Sequence, residues 1–218
     1  VPMPYRNHFH SHIRMRVNEI EDYTSSVLSL RAEYQSDIRI LLGYEAEYDA
    51  ELFPEMMNEI QKYPLDYLIF GAHFIPNEYA GFYSGTPTDS EKDLAAYVEN
   101  VIAGLCTGVY TYLAHPDLIH YLGPEDIYEK HMQKILDTAN ELHTPLEINI
   151  NGIFFHKAYP LRKFWEMAKQ SGNQIVVGFD AHNPALFSDE DSIQKTEALI
   201  ESLGLEILSE IPIRKPVL

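Results

Sequence analysis

Cysteine is almost absent from this chain: Cys106 is the single one among 218 residues. One thiol cannot close an internal disulfide, and it excludes a cysteine-rich zinc site. No apolar run approaches the ~20 residues that a membrane-spanning helix needs. Basic residues are also scarce, 16 against 33 acidic ones, for a formal net charge of −17. That balance argues against a surface built to grip nucleic acid or anionic lipid. Glycine- and serine-rich linkers, separate blocks of like charge and repeated motifs are missing too. One domain spanning residues 1–218 is therefore expected rather than two. No segment reads as a targeting signal, and with the lone thiol this makes a cytoplasmic setting the expectation.

What the chain does have is a repeated arrangement. Five short apolar runs end on residues able to bind a metal: Glu45, His73, His115, the Glu147/Asn149 pair, and Asp180 with His182. Runs this short and this apolar suit strands buried on both faces, as in a parallel sheet wrapped by helices. Successive ends lie 28, 42, 32 and 33 residues apart, and a strand, a loop and a return helix take about 30 residues. Helical spacing of apolar residues fills the gaps, over 18–34, 89–104, 129–143, 161–171 and 191–203, with Ser188 and Asp191 offering the last helix its N-terminal cap. Turn formers and aromatics at 76–87 predict a loop over the strand ends, with Tyr79, Phe82 and Tyr83 as candidate lid residues.

If the strands run parallel, the five ends share one edge of the sheet, and a polynuclear metal site follows. Any single histidine here is more simply a satisfied strand-end residue. Glu45 is harder to explain as structure, because a carboxylate closing a buried run needs a cation or several donors to offset its desolvation. Asp180 and His182 are two apart and so can face one side of a strand. Glu147 and Asn149 share a face as well, and are expected to orient ligands or touch substrate. His8, His10 and His12 follow no apolar strand and read as loop. His120, His131, His143 and His156 read as solvated.

Read in order, Gly-Tyr-Glu-Ala-Glu-Tyr at 43–48, Gly-Ala-His-Phe-Ile at 71–75, Ala-His-Pro-Asp-Leu at 114–118, Leu-Glu-Ile-Asn at 146–149 and Gly-Phe-Asp-Ala-His-Asn-Pro at 178–184 resemble successive motifs of the polymerase and histidinol phosphatase (PHP) family. The likeness runs from Val1 to about Pro184 and is strongest to its histidinol-phosphate phosphatases. It implies a distorted (β/α)7 barrel with up to three divalent metals, drawn from zinc, iron, manganese and magnesium. Glu45 is then similar to the bridging carboxylate, His73 and His115 to ligands of one metal it bridges, and Asp180 and His182 to ligands of the others. Glu45, Asp180 and His182 become the catalytic candidates, and the implied substrate is a small phosphate ester, L-histidinol phosphate. Two rivals remain: a PHP-type phosphodiesterase or exonuclease, disfavoured by the charge, and a catalytically silent interaction module.

The family's opening His-x-His and Asp-His motifs have no counterpart ahead of Glu45. We therefore expect some tens of residues preceding Val1 to be absent from this sequence, leaving the first β/α elements out and one edge of the barrel open. Taking His8 and His10 as the first motif leaves no room for the intervening helix and strand. Relatives also carry an Arg or Lys soon after the Leu-Glu-Ile-Asn strand, where this chain offers His156, Lys157 and Arg162 as phosphate donors, Lys157 preferred. Arg6 and Arg14 are further basic candidates.

Overall fold

The structure, a computed structural model, describes residues 2–5, 9 and 11–217. His8, His10 and Arg6 lie outside the described residues. The chain alternates helix and strand: α1 (Ile20–Glu33), β1 (Gly43–Ala46), α2 (Phe53–Ile60), β2 (Tyr67–Phe70), a short hairpin of β3 (Phe74–Ile75) and β4 (Phe82–Tyr83), α3 (Glu91–Leu105), α4 (Glu125–Glu141), β5 (Leu146–Asn149), α5 (Ile150–Phe154), α6 (Arg162–Ser171), β6 (Ile175–Gly178) and α7 (Glu190–Leu203).

β1 pairs parallel with β2, and β5 with β6. Residues 112–114 join the two pairs by parallel bridges at Leu113, Phe70 N–H donating to Tyr112 and Glu147 N–H to Leu113. A further bridge, Ile175 to Ile207, extends the order on the far side. The result is an arc of parallel strands in chain order, all of whose C-termini face one way. Pairing between β1 and residues 205–208 is not seen among the described residues, so the arc is not closed by a ladder there.

Partners in a parallel register point to the same face. Tyr44, Ala46, Leu68, Phe70, Leu113, Leu146, Ile148 and Ile175 all enter the core, where they meet Met56, Met57, Leu94, Val101, Ile135, Phe164 and Trp165 from the helices. Each such large side chain contributes roughly 1.5–3 kcal/mol by leaving water. α3 packs on α4 and α4 on α6, which sets the helices along one face and leaves the strand ends accessible. Among the described residues no helix is long and apolar enough to cross a membrane.

Several expectations need correcting. The last helix is capped by Asp189, whose carboxylate accepts the Ser192 N–H, not by Ser188. His131 is buried rather than solvated: it sits between α3 and α4 with Nε2 2.9 Å from Glu91. α1 buries Ile20 and Thr24, while Leu30 is exposed, so its apolar side is only partly covered. Part of the loop expected at 76–87 is strand, Phe82–Tyr83, and the stretch 76–81 before it is tied to the rest of the fold. Asn77 Nδ2 donates to Asp49 over 2.9 Å, Glu78 receives Tyr5 and Arg14, and Phe82–Tyr83 pair with Phe74–Ile75.

Candidate metal centre

Glu45 stands at the end of β1 on the face opposite Tyr44 and Ala46, so the same alternation that buries those two aims its carboxylate into the arc. His73 follows β2 by three residues, and His115 follows the bridge at Leu113 by two. His115 (φ 30°) and Asp180 (φ 46°) both take the left-handed backbone region. His and Asp tolerate it better than most residues, and there it turns the chain sharply off the strand.

Both imidazoles converge on one carboxylate oxygen. His115 Nε2 is 3.0 Å and His73 Nε2 3.3 Å from Glu45 Oε1, with the rings 4.8 Å apart. One ligand atom from each of the three residues falls within 4.8 Å of the others. Glycine makes the space: a Cβ on Gly71 would collide with Glu45 Oε1 and the His73 ring, and one on Gly178 with the Glu147 carboxylate.

The electrostatics describe a carboxylate-rich pocket. Burial works against the charge of Glu45, yet His73 and His115 beside it hold its carboxyl well below the usual range. Burial lowers His115, but its bond to Glu45 and the charges of Glu45, Glu147 and Asp180 outweigh that and raise it to about 9. Burial pushes Glu147 up to about 7 against the pull of His115 and Asn149. Negative charge gathered this way calls for a cation. Two imidazole nitrogens and a carboxylate form a donor set that suits zinc and the other first-row divalent ions. The buried Nδ1 of His115, which has no hydrogen-bond partner among the described residues, belongs to the same unfinished arrangement.

A belt of hydrogen bonds extends from the triad along the strand ends. Glu147 Oε2 accepts the His115 N–H (3.2 Å) and Asn149 Nδ2 (3.0 Å). Asp180 Oδ2 accepts from Asn149 and from Asn151, each over 3.2 Å. Asn149 also caps α5, accepting the Gly152 N–H. His182 ends the belt with a largely exposed side chain, its Nδ1 3.4 Å from Asp180 Oδ1 and 2.9 Å from the Asp180 carbonyl.

The structure thus brings Glu45, His73 and His115 together, with Glu147, Asn149 and Asp180 joined to them by the belt. His156 and Lys157 are exposed on the loop after α5. Arg162 places its guanidinium on Ser202 and Glu166, linking α6 to α7. Sequence reading missed Asn151, Asp117 and Glu47. Asp117 is buried beneath His115, where one carboxylate oxygen accepts Leu161 N–H (2.6 Å) and Trp165 Nε1 (3.1 Å). That bond anchors the loop whose Tyr159 ring lies 5.6 Å from that of His115. For Glu47 a signal existed, since it repeats Glu45 at a spacing of two.

Comparison with known proteins places the chain in a family. Relatives from Deinococcus radiodurans and Schizosaccharomyces pombe, each described as a probable histidinol-phosphatase, are 24% identical over 201 and 185 residues, covering 84% and 75% of this chain. The chain spans 72% of the length of the first and 60% of the second. A crystal structure of histidinol phosphate phosphatase from Lactococcus lactis, complexed with zinc, L-histidinol and phosphate, superimposes with a TM-score of 0.66 at 22% identity, over 90% of this chain and 80% of that one. At that identity the likeness is one of fold. Residues 8–151 match the PHP domain, about two thirds of the chain, and the chain belongs to the PHP domain family.

Proposed function

We propose that this protein is a divalent-metal-dependent phosphomonoesterase that hydrolyses L-histidinol phosphate to L-histidinol and phosphate in the cytoplasm. The observation that carries the reading is the convergence of Glu45, His73 and His115 on one point among buried carboxylates. The curated relatives support a phosphatase, and the ligands in the Lactococcus lactis structure support the choice of ester.

On this reading residues 1–218 form one domain, and the parallel arc is the greater part of a distorted (β/α)7 barrel. Zinc, iron, manganese or magnesium, in up to three positions, are the candidate ions. When bound, such ions supply Lewis acidity and a lowered pKa for water. The protein's own groups do the rest. Glu45, His73 and His115 hold the cation in place. Asp180 and His182, at the open end of the belt, would complete the cation sites, and the proton for the departing alkoxide oxygen would come from whichever of the two carries one and is not bound to a cation. Glu147 and Asn149 keep Asp180 oriented. Lys157 binds the phosphoryl oxygens, assisted by its neighbour His156, while Arg162 stays with Ser202 and Glu166.

Phosphate release from L-histidinol phosphate tests the reading, with protein reconstituted separately with zinc, manganese and iron. Release that depends on metal and stops on chelation is expected. Metal-loaded protein that leaves the ester untouched overturns the substrate. Degradation of labelled single-stranded DNA under the same conditions would favour the phosphodiesterase reading, against which the charge of −17 stands.

A further inference from the structure

Behind His73 lies a buried ion pair that the reaction itself does not require. Arg14 and Glu47 have side chains only 7% and 8% exposed, and one guanidinium nitrogen of Arg14 sits on Glu47 Oε1. The same oxygen is 2.9 Å from His73 Nδ1 and accepts the His73 backbone N–H over 3.3 Å. Arg14 Nε reaches Glu78 at 2.6 Å and the Tyr5 hydroxyl at 3.0 Å, and that hydroxyl donates to Glu78 over 2.8 Å. Three segments meet here: the N-terminal stretch, the end of β1, and the loop between β3 and β4.

We propose that Glu47 and Arg14 are positioning residues for His73, with Glu47 accepting the Nδ1 proton so that Nε2 is offered to a divalent cation, and Arg14 holding Glu47 to that task. The inference rests on the metal reading above. Its argument is one of hydrogen-bond capacity. An imidazole that gives Nε2 to a cation keeps its proton on Nδ1, and that proton needs an acceptor. Glu47 Oε1 is the acceptor in place, and three donors already converge on it, which leaves that oxygen nothing to offer a cation. Left without Arg14, a buried carboxylate beside Glu45 would add unpaired negative charge and be free to swing towards the ion. Arg14 neutralises that charge and fixes the rotamer through its second contact at Glu78. His115 provides the contrast, since its own Nδ1 is buried without a partner among the described residues.

The test is zinc affinity, read by competition with a chromophoric chelator, for wild type, Glu47→Gln, Arg14→Met and the double variant. Glu47→Gln is expected to weaken zinc binding about 10–100-fold, the usual cost of losing a group that orients a ligand. Arg14→Met should weaken it too, and the double variant should be no weaker than Glu47→Gln by more than about threefold, because Arg14 acts through Glu47. A proton spectrum of the zinc-loaded protein supplies a readout that mere loss of stability would leave alone. The downfield His73 Nδ1–H resonance should move upfield in Glu47→Gln. Should either single variant fold poorly, the double variant removes both members of the pair, leaving Glu78 with the Tyr5 hydroxyl as its donor. Zinc affinity in the Glu47→Gln or the double variant within about twofold of wild type overturns the inference, as do single losses that multiply. Wild type that binds no zinc overturns the metal reading instead, and the two failures are distinct.

Discussion

The two ends of the strand-end belt are built differently. At one end Glu45, His73 and His115 are locked: both imidazoles are on the carboxylate, His73 is backed by Glu47 and Arg14, and Gly71 leaves the cradle its shape. At the other end Asp180 is held by two asparagines, but His182 is 68% exposed and bonds its own neighbour's backbone. The first end presents three converged donor residues before any ion arrives, with the His115 Nδ1 alone among their ring nitrogens lacking a partner among the described residues. The second presents no such converged set among the described residues. Preorganised ligands bind more tightly because less ordering remains to be done on binding. On the proposed metal-dependent reading, the difference predicts a stronger cation site at the triad and an exchangeable one on the Asp180 side.

The harshest way to break that comparison is Glu45→Gln, which removes the charge on which both imidazoles converge. Phosphate release is expected to fall by about 10³-fold, equivalent to about 4 kcal/mol of transition-state stabilisation. Zinc bound per chain should fall with it. Turnover and zinc content equal to wild type would show that the locked end is not where the cation sits.

Next in size is a pH effect confined to the locked end. Burial raises the Asp117 carboxyl from 3.8 to about 6, against the pull of Leu161, Trp165 and His115. The folded protein therefore holds this proton more tightly than the unfolded chain. The stability it confers is complete below pH 3.8 and is lost as the pH rises through about 6, amounting to about 3 kcal/mol. Glu147, also raised, acts in the same direction, while Glu45, lowered, acts in the opposite one and loses its contribution as pH falls. Asp117→Asn keeps an oxygen for Leu161 and Trp165 but cannot ionise. Urea unfolding of the metal-free proteins at pH 4.5 and 7 should show the variant losing less stability than wild type over that interval. Equal losses would remove Asp117 from the account.

How much of this was legible in the sequence follows from what each residue reports. The parallel arc was legible because a two-sided strand must be apolar, and the strand ends stood out because Glu45 and Asp180 contradict that apolarity. Helices with a strong apolar stripe, such as α4 and α6, fell within a few residues of their expected places. Shorter α2 and α5 gave too few turns for a period to show. The β3–β4 hairpin escaped because its hold comes from Asp49 and Arg14, distant in sequence. Glu47 had a local signal in its spacing of two from Glu45, but its role did not show because its partner Arg14 lies 33 residues earlier. Spacing reveals a period, but it does not reveal a pairing across the fold.

Gly71→Ala sharpens the comparison more gently. Its methyl would push on Glu45 and His73 while leaving every donor in place, so zinc affinity should fall by about tenfold, near 1.4 kcal/mol. Chelator competition checks this, and an unchanged affinity would show that the cradle yields without cost.

The smallest effect is expected from His182→Ala, and its smallness is the point. His182 has its ring turned onto Asp180, with Nδ1 3.4 Å from Oδ1 and 2.9 Å from the carbonyl, at the exposed end of the belt. Removing it should change the tightest zinc affinity by less than about threefold, under 1 kcal/mol, because the locked end keeps all its donors. Any weaker zinc equivalent should disappear in a titration, since that site loses a nitrogen donor it can ill replace. The variant therefore separates the two ends directly: an unchanged first equivalent with a missing second supports a preorganised site beside an exchangeable one. Loss of the first equivalent would mean that His182 reaches the triad when metal is present, and that the two ends act as a single site.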